Sequence, residues 1–392
     1  MIIRNATFFE RGNLRYGDMI HGHSNEEFDA AGKLVIPAFN NAHTHLSMTL
    51  MRGAGEGEKL QDWLNNTIFP TERRLTPDLV FRGAMLGLAE MIHTGSSHFI
   101  DMYYFVESIA KAVEVSGIRA TLGTPITEFG TSYYKDAGDA LRLAEQQLKS
   151  KSGRDGRVEY CVAPHSIYLC TEGTLLKAKA LSGKYGAKLT IHISETRKEC
   201  VDCHSKTGLW PVEYLDSIGL LDENTVLSHA AWLTKMEIGT LADRECTVVH
   251  CPASNMKLAS GGVMPIPELM DAGVNIMLGT DGAASNNSLD MMSEMKFASL
   301  LQKMHRWDAT AAPAPVVFGM ATRNSKDLAF VDMDDVRMLP RHDMIANLVY
   351  SGGRVTDLLV DDRFVLRDGI ITTFDEATVK EEFMEASMEL LR

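Results

Sequence analysis

Eight short apolar runs recur between positions 35 and 279: VIPAFN, SSHFID, IRATLG, VEYCVAP, AKLTIH, NTVLSH, CTVVH and VNIMLG. Amphipathic stretches such as LVFRGAMLGLAEMI and AGDALRLAEQQL lie between several of them. Apolar runs bounded by helical periodicity read as strands buried on both faces, and strands alternating with helices build a parallel sheet. Eight such strands fit a closed (β/α)₈ TIM barrel, an α/β fold, better than an open doubly wound sheet. The usual G-x-G-x-x-G fingerprint of the latter is absent after the first strand. Length permits the barrel: 392 residues, 45% of them hydrophobic, suffice for a barrel of about 250 residues and a small second domain.

The two ends have a different rhythm. MIIRNATFF and GKLVIP read as short strands separated by polar turns, and so do MIANLVYS, VTDLLVDD and RFVLRDG. Neither end can bury an apolar face alone, so the two are expected to meet in one small, reduced β domain. The expected division is 1–36 for its first part, 37–330 for the barrel, and 331–392 for its second part with a terminal helix.

The polar residues at the strand ends carry the chemistry. His43 and His45 follow VIPAFN in NAHTH, His192 ends AKLTIH, His229 ends NTVLSH, and Asp281 follows VNIMLG. In a barrel that edge is where ligands bind. Two residues apart in an extended segment, His43 and His45 point to the same side. Together with His192 and Asp281 they form a nitrogen and oxygen donor set suited to Zn²⁺, with Fe²⁺ or another first-row ion as the alternative. Glu195 lies three residues beyond His192. A carboxylate there, in a dry pocket, can hold a raised pKa and move protons beside a metal-activated water.

These residues resemble a known family. NAHTHLSMTLMRG, APHSIYLC, IHISETRKE, LSHAAWL, VVHCPASNMKLASGG and LGTDGAASNNSLDM are together similar to the amidohydrolase superfamily. Within it they resemble the 5-methylthioadenosine/S-adenosylhomocysteine deaminases, a group that includes archaeal 5′-deoxyadenosine deaminases. The resemblance implies one divalent ion on His43, His45, His192 and Asp281, with His229 orienting the attacking water and Asp281 helping to deprotonate it. It implies that Glu195 delivers a proton to the purine N1 while hydroxide attacks C6 and ammonia leaves. Glu72, in IFPTE, matches the glutamate that binds ribose hydroxyls, and His165, in APHSIY, matches a nucleoside-contacting position. Phe69 stands where a tryptophan is common, and the usual glycine-rich stretch between NSKDLAF and HDMIANL is missing. The implied substrates are 5′-deoxyadenosine, 5′-methylthioadenosine, S-adenosylhomocysteine and adenosine. Deaminases of a free base such as guanine or a pyrimidine, and aminotriazine hydrolases, use the same metal groups and remain the alternatives. A non-enzymatic barrel protein fits less well, since the whole set of groups is intact.

Other signals carry less. Cys200, Cys203 and His204 spell C-x-x-C-H, but they fall in an amphipathic stretch that reads as helix. GAGEGEK lacks P-loop spacing and reads as a flexible active-site loop, and the H-x-E…P-C-x-x-C pattern of nucleic-acid deaminases is absent. His93 reads as a helix-end residue, His98 as a strand residue without a role, and His250 as a secondary candidate for contact with the purine. A formal charge of -13, from 39 basic and 52 acidic residues, disfavours nucleic acid and anionic membranes as partners. No run of about eighteen apolar residues is present, and the start has no basic segment leading into an apolar one. Six cysteines are too sparse for a disulfide scaffold. A cytoplasmic homo-oligomer acting on a small-molecule nucleoside is expected.

Overall fold

The computed structural model describes residues 1–10, 12–58, 60–150 and 156–391. Four strands open the chain: β1 (Ile2–Glu10), β2 (Asn13–Ile20), β3 (Glu27–Asp29) and β4 (Lys33–Pro37). β1 runs antiparallel to β2 and parallel to β3 and β4.

From Phe39 to Gly282 the strand pairing is parallel. β5 (Phe39–His45), β6 (Ser96–Met102) and β7 (Arg119–Gly123) are followed by two-residue β8 (Pro125–Ile126), then β9 (Val158–Tyr160) and β10 (Ala163–Pro164). Next come β11 (Leu189–Ile193), β12 (Thr225–His229), β13 (Thr247–His250), β14 (Asn275–Leu278) and β15 (Asp281–Gly282). One arc has the order β15-β5-β6-β7-β9 and the other β11-β12-β13-β14. They meet where Val162 bridges Leu189 and Ser166 bridges His192. Every residue of β11 and β12 is buried, as a strand covered on both faces requires.

Helices fill the connections and pack on these strands. Pro77–His93 shows why one forms: Thr76 accepts from the Leu79 N–H at 3.3 Å and Pro77 occupies the first turn, a fixed-φ start that needs no donor. Its buried side carries Leu79, Val80, Ala84, Leu88 and Met91, which join the main core. Between β14 and β15 stands Gly279, where a Cβ would fall 2.8 Å from the His43 backbone nitrogen. Only glycine lets this turn approach β5 so closely.

The chain then returns to its start. β16 (Leu328–Asp332), β17 (Val355–Val360), β18 (Arg363–Arg367) and β19 (Ile370–Ile371) complete a sheet ordered β19-β18-β17-β16-β4-β1-β2, with β3 on β1. The contact between the two ends is β4 against β16, antiparallel, with Val35 opposite Phe330. Phe28, Phe330 and Leu359 anchor a separate core under this sheet.

Three expectations need correction. MIANLVYS is a helix, Met344–Ser351, and not a strand. Asp343 caps it by accepting from the Ala346 N–H at 2.9 Å, and Met344, Leu348 and Val349 form its buried side. So short an apolar run does not reveal its period. VIPAFN is split at Pro37: its first part belongs to β4 of the chain-end sheet, its last to β5. β16 straddles the expected boundary after residue 330 and pairs wholly within the chain-end sheet.

Candidate active site

The C-terminal ends of β5, β11, β12 and the β14–β15 turn bring His43, His45, His192, His229 and Asp281 together. One donor atom each from His43, His45, His192 and Asp281 lies within 4.8 Å of all the others. The backbone at several of these points is left-handed: φ is +50° at Ser194, +75° at His229 and +61° at Asp281. Such conformations persist in non-glycine residues where the surroundings over-determine them.

The surroundings also set the protons. His45 Nδ1 stands 2.7 Å from the Met102 carbonyl, and His192 Nδ1 stands 2.7 Å from the His165 carbonyl. A carbonyl only accepts, so both Nδ1 atoms carry hydrogen and each ring turns its Nε2 inward. Those two Nε2 atoms are 3.3 Å apart. Asp281 Oδ1 is 3.1 Å from His45 Nε2 and 3.4 Å from His43 Nε2, and His43 Nε2 is buried without a hydrogen-bond partner. Lone pairs facing one point repel unless a cation joins them. Three imidazoles and a carboxylate in this arrangement fit a divalent metal ion, with backbone carbonyls fixing the tautomers from behind.

The other oxygen of Asp281 is held elsewhere. Oδ2 accepts from Ser254 Oγ at 2.6 Å and Ser285 Oγ at 2.8 Å. Ser254 sits in the short helix Pro252–Lys257 and Ser285 in Ala283–Asn286. Asn255 Nδ2 lies 3.1 Å from His229 Nδ1, leaving Nε2 of that ring for the cleft. Sequence reasoning missed Ser254, Asn255 and Ser285 as functional supports. They lie within the blocks HCPASN and DGAAS, but no metal-ligand chemistry marks them.

A cleft of about 640 Å³, counted to its open mouth, joins these groups to Glu72, His165 and Glu195. Glu195 is 6% exposed, and burial holds its carboxyl above the ordinary range. Glu72, at the end of the short helix Phe69–Glu72, is equally buried, and burial pushes it up to about 7 against the pull of the Tyr103 and Tyr104 hydroxyls. His165 stands against His192, ring centroids 4.5 Å apart, and burial lowers its pKa to about 3. It is a neutral ring at the metal end of the cleft. Trp63, Leu64, Ile68 and Phe69 give one apolar wall.

Other expected candidates fall outside. His250 is buried with both ring nitrogens unpartnered and does not line the cleft. His98 bonds Asn40 and Thr121 at the opposite strand ends, and His93 pairs with Glu376 at 2.8 Å. Cys200 and Cys203 are buried free thiols on the helix Arg197–Thr207. Within GAGEGEK, residues 53–57 form turns, none of residues 53–58 lines the cleft, and Lys59 lies outside the described residues.

Known proteins are similar to this chain. A 5′-deoxyadenosine deaminase of Methanothermobacter thermautotrophicus is 41% identical, over 94% of this chain and 90% of the relative. A 5-methylthioadenosine/S-adenosylhomocysteine deaminase of Thermococcus sibiricus is 38% identical, over 93% of this chain and 90% of the relative. The crystal structure of a zinc-bound adenosine deaminase from Xanthomonas campestris superposes with a TM-score of 0.88 at 30% identity, over 93% of this chain and 88% of that one. The model of the amidohydrolase family matches residues 34–328, which span every donor of the metal cluster. With that cluster at the ends of parallel strands, the chain belongs to the amidohydrolase family.

Proposed function

We propose that this enzyme deaminates 5′-substituted adenosines, among them 5′-deoxyadenosine, 5′-methylthioadenosine and S-adenosylhomocysteine, to the inosine analogues and ammonia. One observation carries the reading: a single cleft holds a three-histidine, one-aspartate donor set, the buried acid Glu195 and the buried carboxylate of Glu72. The names of the relatives support it.

In this reading His43, His45, His192 and Asp281 hold one divalent ion, Zn²⁺ in preference to Fe²⁺. A bound ion lowers the pKa of a water and so makes a nucleophile available near neutral pH. Asp281 would take a proton from such a water, and His229, braced by Asn255, would orient it toward purine C6. Glu195 gives its proton to N1 as the C6–O bond forms. The proton held by Asp281 would pass to the amino group, which leaves as ammonia, and the C6 hydroxyl would return its proton to Glu195 as the carbonyl forms. Glu72 accepts from the ribose hydroxyls and His165 contacts the nucleoside. A second cavity of about 680 Å³ adjoins the first at Phe69 and Glu72 and is lined by Phe129, Ser132 and Arg73. It offers room for the 5′ group.

The same reading takes the parallel strands as a closed (β/α)₈ barrel. Its support is that β15 continues β14 after two residues and pairs with β5, Asp281 opposite Thr44. Residues 1–36 and 331–392 are then the small β domain, adjusted so that β16 joins it. A cytoplasmic homo-oligomer remains the expected setting; none of the six cysteines is paired, and no described helix is long and apolar enough to cross a membrane.

An ammonia-release assay tests the function. It compares the three 5′-substituted nucleosides with adenosine, adenine, guanine, cytosine and an aminotriazine. Conversion of a 5′-substituted adenosine to its inosine analogue is expected. Strong turnover of a free base with none of any adenosine rejects the assignment.

A further inference from the structure

A second buried glutamate sits behind Glu195. Glu199, in the first turn of the helix Arg197–Thr207, is 6% exposed. Its Oε1 accepts from the Ser194 N–H at 3.0 Å and its Oε2 from the Glu195 N–H at 2.9 Å. No cation pairs with it among the described residues, so ion pairing does not explain its burial.

Its geometry differs from ordinary helix capping. Thr196 is the capping residue and accepts from the Glu199 N–H at 3.2 Å. A glutamate three residues after such a cap usually returns to the cap's own N–H. Glu199 reaches past it, to the two residues upstream. Those two lie between the metal ligand His192 and the helix, and Ser194 is held left-handed at φ +50°. The far side of the turn is fixed as well: the Ala231 and Trp232 N–H groups both donate to the Ser194 carbonyl at 3.0 Å. The Glu195 turn is thereby tied to the segment that follows His229.

We propose that Glu199 is a positioning residue for the deamination. Its carboxylate locks the Ser194–Glu195 turn, and the lock fixes the distance and angle at which the Glu195 carboxyl meets the reacting atoms. The inference rests on Glu195 as the proton carrier.

The test is E199Q, alone and combined with E195Q, in the metal-loaded enzyme. Glutamine keeps the volume but offers one acceptor for two amides and sets its own N–H against the other. Metal content and KM are expected to stay within about twofold while kcat falls about 10–100-fold, the scale of a small misplacement of a reacting group. On top of E195Q the second change is expected to cost less than about twofold, because the group it positions is already disabled. Unchanged kcat in E199Q, or an equal fold-loss in both backgrounds, overturns the proposal. Where E199Q fails to fold, E199D, which keeps both carboxyl oxygens but falls short of one amide, decides by the same comparisons. Near-normal turnover in E195Q alone removes the parent assignment and this one with it, and it is read without E199Q.

Discussion

At the scale of single residues, the proposed chemistry makes sharp demands. E195Q keeps shape and removes the mobile proton, so metal content should persist while kcat falls roughly 10²–10⁴-fold. Atomic absorption and steady-state rates check both halves, and normal turnover sinks the role. E72Q leaves one acceptor for the ribose hydroxyls, so nucleoside kcat/KM should fall about 10–100-fold while any residual free-base turnover is unchanged. A uniform loss across both substrate types places Glu72 elsewhere. Arg73, exposed at the adjoining cavity, has no acidic partner among the described residues. R73Q should weaken turnover of S-adenosylhomocysteine, which carries a carboxylate, and leave 5′-methylthioadenosine unaffected; equal effects refute a carboxylate contact. The donors of the metal cluster were legible in the sequence because their residue types recur at strand ends. Glu199, Ser254, Asn255 and Ser285 were not, since the first reaches a turn and the others reach the site from short helices, contacts that no spacing reveals.

At the scale of elements, two short helices matter more than their length suggests. Pro252–Lys257 and Ala283–Asn286 deliver the hydroxyls of Ser254 and Ser285 to one oxygen of Asp281. Removing both, as S254A/S285A, frees that carboxylate to rotate. Metal affinity should drop about 10–100-fold, the usual effect of deleting groups that orient a ligand. Competition with a chelator of known affinity measures it, and an unchanged constant would show that the histidines alone fix the site. The strands of the middle region were readable because burial on both faces leaves an uninterrupted apolar run. Met344–Ser351 was not, because a run so short fits either period and its Asp343 cap is equally at home in a turn. The break of VIPAFN at Pro37 depends on pairing with β16, far away in sequence, which no local pattern contains.

At the scale of the whole molecule, stability should follow both metal and pH. An ion bound only by the folded chain adds RT ln(1 + [L]/Kd), about 4 kcal/mol at a thousandfold excess over Kd. Chelation should therefore lower Tm, and restoring the ion should recover it; an unchanged Tm separates the site from the fold. Glu294 sets the alkaline side. It is buried, accepts from Asn286 Nδ2 at 2.7 Å and the Ala253 N–H at 3.2 Å, and burial pushes its pKa up to about 8 from 4.5. Because the folded value is the higher one, its contribution is full below the unfolded pKa and is lost as pH rises through the folded one. Between pH 6 and 9 the wild type should lose on the order of 1–3 kcal/mol that E294Q keeps; parallel melting curves across that range would dismiss the role. The register of Asp281 opposite Thr44 has a further consequence, in the order of synthesis. While the ribosome is still making the middle of the chain, a passing ion finds only His43 and His45, then His192. The carboxylate that completes the set emerges long after, and the strands that seal the first sheet come later still. A chain arrested before Asp281 therefore holds at most the three histidine donors, and metal capture by the full set is expected only after that residue has been made.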